Sequence, residues 1–132
     1  MSYSSQSKSY REMEIQAASP ERLVVIVFEQ LVVNLERARI AMERKDPALR
    51  VLSLKRARGL LYELLSTLDE EHGGALAVQL GDLYQFMLVE MVDVGQRGDI
   101  ATLRKLISMA TALRDGFVGA AEQVVIERRK SA

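Results

Sequence analysis

The chain predicts an all-α protein, an antiparallel up-and-down four-helix bundle preceded by a mobile N-terminal arm. Three observations carry this. Apolar residues recur at mixed spacings of three and four along four segments, the period of a buried helical face. Both prolines follow a capping residue and so mark helix starts. No stretch alternates polar and apolar as a strand would, and the breaks between segments are short enough to make neighbours antiparallel.

Residues 1–18 lack a period and read as the arm. At Ser19-Pro20-Glu21 the hydroxyl of Ser19 can cap a helix, Pro20 suits its first position, and Glu21 complements the positive end of the dipole. The first helix, about 20–44, offers a core stripe of Val24, Phe28, Leu31, Leu35, Ala38 and Met42. Asp46-Pro47 repeats the start signal for the second, about 47–70, with Leu54, Ala57, Leu61, Leu64 and Leu68 inward. Gly73-Gly74 breaks the pattern, and the third helix spans about 74–96, with Leu76, Leu80, Leu83, Met87, Met91 and Val94 inward. Gly98 followed by Asp99 reads as a glycine stop and a new cap. The fourth helix, about 99–126, turns Leu103, Leu106, Ala110, Leu113, Phe117 and Val124 to the core. Residues 19–126 then form the bundle, and 127–132 a polar tail.

Composition narrows the function. At 132 residues the chain can build one core, and with 48% apolar and 27% charged residues it reads as globular. Eighteen basic and eighteen acidic side chains leave no net charge, which argues against a nucleic-acid partner. The clusters Lys55, Arg56, Arg58 and Arg128, Arg129, Lys130 read as solvated surface. There is no cysteine, so no disulfide or thiolate chemistry. The start is polar and Ser-rich, unlike a secretory signal, and the longest apolar run, Leu23 to Phe28, is far short of a membrane span. A cytoplasmic protein without membrane insertion is the default expectation.

Catalytic chemistry finds no support. His72 is the single histidine and sits beside the Gly73-Gly74 break, where it reads as a solvated loop residue. A ferritin-like di-metal site needs two Glu-x-x-His pairs, and covalent haem needs Cys-x-x-Cys-His. Asp69, Glu70 and Glu71 read as acids solvating a helix end. No phosphate loop, nucleophile motif, metal site or cofactor site is expected.

What stands out instead is apolar surface left over. At about 100° per residue, Ile26, Val33 and Ile40 lie opposite the core stripe of the first helix. Val51 and Tyr62 fall off the core line of the second, and Val78 and Val89 point away from that of the third. On the fourth, Ala112, Gly116 and Gly119 make a small-residue patch where another backbone can approach closely. Singly, such residues are ordinary surface. Together they suggest a surface for amphipathic helices laid into grooves. In the arm, Tyr10, Met13 and Ile15 could fold back as an internal plug or simply pack. The rival reading is a structural homodimer whose extra faces pair with themselves.

Two blocks of residues then bear on identity. Tyr10, Ala18-Ser19-Pro20-x-x-Leu23 and the apolar helix through Phe28 form the first. Leu68-Asp69, Gly73-Gly74, Leu80, Leu83-Tyr84 and Met87 form the second. In order and separation they resemble the flagellin export chaperone family, FliS, over about Tyr10 to Val125. The chain departs from the family at Phe28, Glu29 and Gln30, where Tyr, Asp and Gly are common. The resemblance implies a cytoplasmic, non-enzymatic chaperone that holds the C-terminal segment of flagellin and prevents premature polymerisation. The flagellar export apparatus becomes a further candidate partner. It also implies that the N-terminal segment can cover part of the pocket, in agreement with the plug.

Overall fold

The computed structural model describes Tyr10 and residues 19–131. Four helices follow in order: α1 (Pro20–Glu43), α2 (Pro47–Ser66), α3 (Glu70–Arg97) and α4 (Ile100–Ser131). Each start is set by a short-range cap. Ser19 Oγ accepts from Arg22 N at 3.2 Å, and Asp46 Oδ1 accepts from Leu49 N at 3.1 Å. Asp69 Oδ1 accepts from His72 N at 3.2 Å. Asp99 accepts twice from Thr102, from N at 3.1 Å and from Oγ1 at 2.7 Å. Those bonds, the side-chain one first, hold the Asp99 carboxyl below its usual range.

Two helix boundaries differ from expectation. α2 stops at Ser66, and Asp69 opens α3 before the glycine pair, so His72 lies in the first turn of a helix. The break itself is real: Gly74 has φ 57° and ψ −136°, which kinks α3 after one turn. Gly98, at φ 66°, ends α3 in the left-handed cap expected of it. α4 runs on to Ser131 through the residues expected as a polar tail.

The bundle is a ring in which α1 packs against α2 and α4, and α3 against α2 and α4. Ion pairs fix α1 antiparallel to α4: Arg104 to Glu43 at 3.7 Å at one end, Arg128 to Glu21 at 2.8 Å at the other. Phe28 is fully buried at the centre. Its ring stacks on Phe117 at 5.0 Å and meets Tyr84 across the diagonal at 6.2 Å. With the ring enclosed between aromatics, Phe28 fits this interior without a hydroxyl. Burial raises the Tyr84 hydroxyl to about 12.

The inner stripes of α1, α2 and α4 follow the sequence pattern, with Leu31, Leu35, Leu54, Leu61, Leu103 and Leu106 sealed. The first half of α3 does not. Its buried residues are Ala77, Gly81 and Tyr84, each one position after the expected leucines. Leu76 is 62% exposed, and Leu80 and Leu83 are half-buried. The reason is steric. A Cβ at Gly81 would lie 3.4 Å from Leu68 Cδ1, so the small residues let α3 approach while Tyr84 fills the middle. From Met87 onward expected and observed stripes agree, and Met87 and Met91 are core residues.

Candidate functional site

α3 is the helix whose apolar content exceeds its burial. It is long and apolar enough to cross a membrane by composition, yet its inner stripe is packed in the bundle. A helix apolar on all sides normally has neighbours on all sides. Here both flanks face outward.

The flanks can be assigned. A Cβ at Gly95 would lie 3.9 Å from Leu54 Cδ1, and one at Gly81 3.4 Å from Leu68 Cδ1. The two contacts are fourteen residues apart on each partner, so α2 and α3 run antiparallel and in step. They also identify the side of α3 that meets α2. Next to that side, at about 100° per residue, come Val92, Val78 and Val89. On α2 the residues beside the same seam are Val51 and Tyr62. All five are exposed, Val89 at 64%. Four residues picked from sequence on separate helices, Val51, Tyr62, Val78 and Val89, thus share the α2–α3 face.

The other flank of α3 carries Leu76, Leu80 and Leu83. The Gly98–Asp99 turn folds α4 back so that Ala112 to Gly119 comes level with Val78 to Gln85. On α4, Ile107 borders Glu36 and Arg39 of α1, and Val124 lines a cleft with Val24; Ala112 and Gly116, roughly 140° and 180° round the helix from Ile107, lie on the side away from α1, with Gly119 beside Ser108 on the outer edge. A Cβ at Gly116 or Gly119 would meet nothing within 4 Å. Three leucines of α3 and the small residues of α4 thus sit at similar heights on neighbouring helices. The leucines escaped the sequence reading because their spacing also fits a core.

The remaining sequence candidates fall elsewhere. Ile26 is not an outward contact: it is 8% exposed and lines a cleft of about 630 Å³ between α1 and α2 with Leu23, Val27, Leu60 and Leu64. Gln30, half-buried, borders the same cleft. Ile40 is half-buried, and Val33, at 38%, is the exposed member of its trio. A second apolar cleft, about 330 Å³, lies between α1 and α4 and is lined by Val24, Phe117, Ala121 and Val124. Pro20 and Val24 border both clefts, at the point where the chain enters α1. The Glu21–Arg128 pair closes this end. Its carboxyl sits below the usual carboxylate range, chiefly because its own backbone N–H donates to it, with Arg128 adding. Tyr10 is 77% exposed and fills no cleft; Met13 and Ile15 lie outside the described residues.

Asp69, Glu71 and His72 bring potential ligand atoms within 4.8 Å of one another. All three are exposed, and Asp69 already caps α3 and bonds His72 Nδ1 at 2.6 Å.

The family model described as flagellar protein FliS matches residues 2–124. The chain belongs to the FliS family. It is 32% identical over 111 residues to a flagellar secretion chaperone FliS of Campylobacter jejuni, covering 83% of this chain and 85% of that one. It is 29% identical over 116 residues to flagellar secretion chaperone FliSB of Pseudomonas aeruginosa, covering 85% and 92%. A flagellar secretion chaperone FliS of Salmonella typhimurium is 25% identical over 107 residues, covering 80% and 79%. All three relatives are described as flagellar secretion chaperones.

Proposed function

We propose that this FliS-family chain sequesters the C-terminal segment of flagellin in the cytoplasm and keeps it from polymerising before export. The observation that carries the reading is apolar surface left open on α3, where Leu76 is exposed and Leu80 and Leu83 are half-buried, and we take it to form a groove with the open space over Gly116 and Gly119 on α4. An amphipathic helix laid there buries its apolar side on the leucines while its backbone comes close over the glycines. Val51, Tyr62, Val78 and Val89 on the α2–α3 face, with Val33 on α1, take a further stretch of the same segment. Wrapping over several faces suits a client that folds as it binds, since ordering it costs about 2–5 kcal/mol that a large buried area must offset. On the same reading, the arm that carries Tyr10, Met13 and Ile15 in sequence before α1 competes with the client for this surface. Docking of the loaded chaperone on the export apparatus is the step this prepares.

Calorimetric titration with flagellin that keeps or lacks its C-terminal segment tests the assignment. One-to-one binding that needs the segment supports it. Equal binding of both forms, or of neither, overturns it.

A further inference from the structure

The end of the bundle where the α1–α2 and α3–α4 turns meet carries cations that the chain does not neutralise. Arg44 and Lys45 are exposed and Arg50 is half-buried. None of the three has an ion-pair partner among the described residues. The carboxylates of the two turns are already engaged. Glu43 pairs with Arg39 and Arg104. Asp46 caps α2 through Leu49 N, and Asp99 caps α4 through Thr102. Lys45 and Arg50 line one cavity of about 310 Å³, whose apolar side is Met42, Pro47 and Ile100. Arg50 Nε is sealed from solvent and has no acceptor among the described residues. A guanidinium seated in this way has lost hydration without gaining an anion. Gly98 leaves it uncovered on the α4 side, where a Cβ would lie 3.9 Å from Arg50 Nη1. Lys45 stands at φ 56°, just past the end of α1, where its N–H bonds Met42 O at 3.3 Å and that of Asp46 bonds Ala41 O at 2.8 Å. Glycine is the residue that this helix-ending turn favours; a lysine there is strained and adds a charge to the cavity.

We propose that this cavity binds the phosphate group of a small monoester, with the ester's compact apolar body against Met42 and Ile100. Two cations on one cavity suit a phosphate, which carries about −1.5 to −2 charge near neutral pH. The guanidinium fork of Arg50 can make two parallel hydrogen bonds to its oxygens, and the Lys45 ammonium supplies a mobile point charge. A carboxylate would use the fork and leave the second cation unmatched. The volume lies at the lower end of small-molecule sites, roughly 300–1,000 Å³, so the body of the ligand is small. Asp46 also lines the cavity and opposes an anion there, although one of its oxygens is held by Leu49 N at 3.1 Å. The site is independent of the client's identity. Leu76, Gly116 and Gly119 lie toward the opposite end of the bundle, the end closed by Glu21 and Arg128. A bound phosphate ester would tie the α1–α2 turn to the α3–α4 turn and so stabilise the folded chain.

Circular dichroism melts of the full chain in phenyl phosphate, against sodium chloride of equal ionic strength, test the site. Phenyl phosphate roughly tenfold above its Kd should raise the melting temperature by about 5 °C, and the rise should saturate. Inorganic phosphate, which leaves the apolar wall bare, and benzoate, a monoanion with the same ring, should each bind more weakly. Arg50→Gln should weaken binding about tenfold or more, and Arg50→Lys, which keeps the charge but loses the fork, by less. Asp46→Asn keeps a capping side chain and removes the opposing charge, so it should bind tighter with unchanged helicity. Lys45→Gly should melt higher than wild type without ligand and gain less from it. If Arg50→Gln fails to fold, the opposite effects of Asp46→Asn and Lys45→Gly on affinity still decide. A rise that does not saturate, or one equal in wild type and all variants, is a general salt effect and overturns the proposal. Benzoate binding tighter than phenyl phosphate overturns it as well.

Discussion

Replacing Gly116 and Gly119 by alanine should make the protein more stable and a worse chaperone. Both glycines lie inside α4 without positive φ, and a Cβ at either meets nothing within 4 Å. Glycine in a helix interior costs about 1 kcal/mol relative to alanine, so the double replacement stabilises by roughly 1–2 kcal/mol. With an unfolding entropy of about 2.1 cal/mol/K per residue, that raises the melting temperature of this 132-residue chain by roughly 4–7 °C. The added methyls occupy the low wall over which the client's backbone is proposed to pass. Overpacking there at about 1.4 kcal/mol weakens binding tenfold. Gly59→Ala is the control, since Gly59 also has open space around it but lies on α2, off the groove. It should raise the melting temperature by about half as much and leave affinity alone. The assay is a circular dichroism melt beside calorimetric titration of a flagellin C-terminal peptide. A stabilised double variant with unchanged affinity would falsify the groove assignment. A destabilised one would show that the space over the glycines is filled.

Further expectations follow from burial. Val89→Glu should keep its helicity, within about 0.5 kcal/mol of wild-type stability, because Val89 is 64% exposed; peptide affinity should fall severalfold, and an unfolded variant would instead make Val89 core. Phe28→Ala removes a fully buried ring held between Phe117 and Tyr84 and should cost about 3–5 kcal/mol in urea denaturation; a loss under 1 kcal/mol would mean that the aromatic centre collapses around the gap. Tyr84 should be the last of the four tyrosines to ionise in an absorbance titration. Its folded value, about 12, lies above the unfolded value near 10. The native state therefore holds the proton that the unfolded state releases, and stability falls as pH rises from about 10 to 12. A Tyr62→Phe change leaves that last step in place, whereas Tyr84→Phe removes it.

How much of this is legible in the sequence depends on how far the deciding partner lies along the chain. Caps are decided within three residues, so Ser19, Asp46 and Asp99 announce their helices. The glycine stop at Gly98 is equally local, as is the open strip at Gly116 and Gly119, where the signal is a missing side chain. The inner face of α3 is not local. Leu76, Leu80 and Leu83 have a better core pattern than Ala77 and Gly81, and only the approach of Leu68 and the reach of Tyr84 to Phe28 reverse the choice. Ile26 is a similar case: a helical projection places it opposite Phe28, and the neighbouring α2 leaves it 8% exposed at the edge of the cleft between α1 and α2. That Val51, Tyr62, Val78 and Val89 share one face requires the antiparallel register of two helices, which no single periodicity contains.

On the proposed reading, the uneven packing of α3 links stability to function. α1 is gripped along its length by α2 and α4, and its stripe of Phe28, Leu31, Leu35 and Ala38 is fully sealed. α3 is held by Tyr84, Met87, Met91 and Val94 along one line, with Gly81 and Gly95 as its points of close approach to α2. Its outer leucines and valines contribute little to the fold, because they keep contact with water in it. Their burial is therefore still available as a driving force, about 25 cal/mol for each Å² covered. A chaperone needs such surface without depending on it to stay folded. Dividing the bundle into a sealed half around α1 and an apolar, half-covered helix α3 meets both requirements in one small domain. It also explains why a helix with the composition of a membrane span sits at the edge of this one.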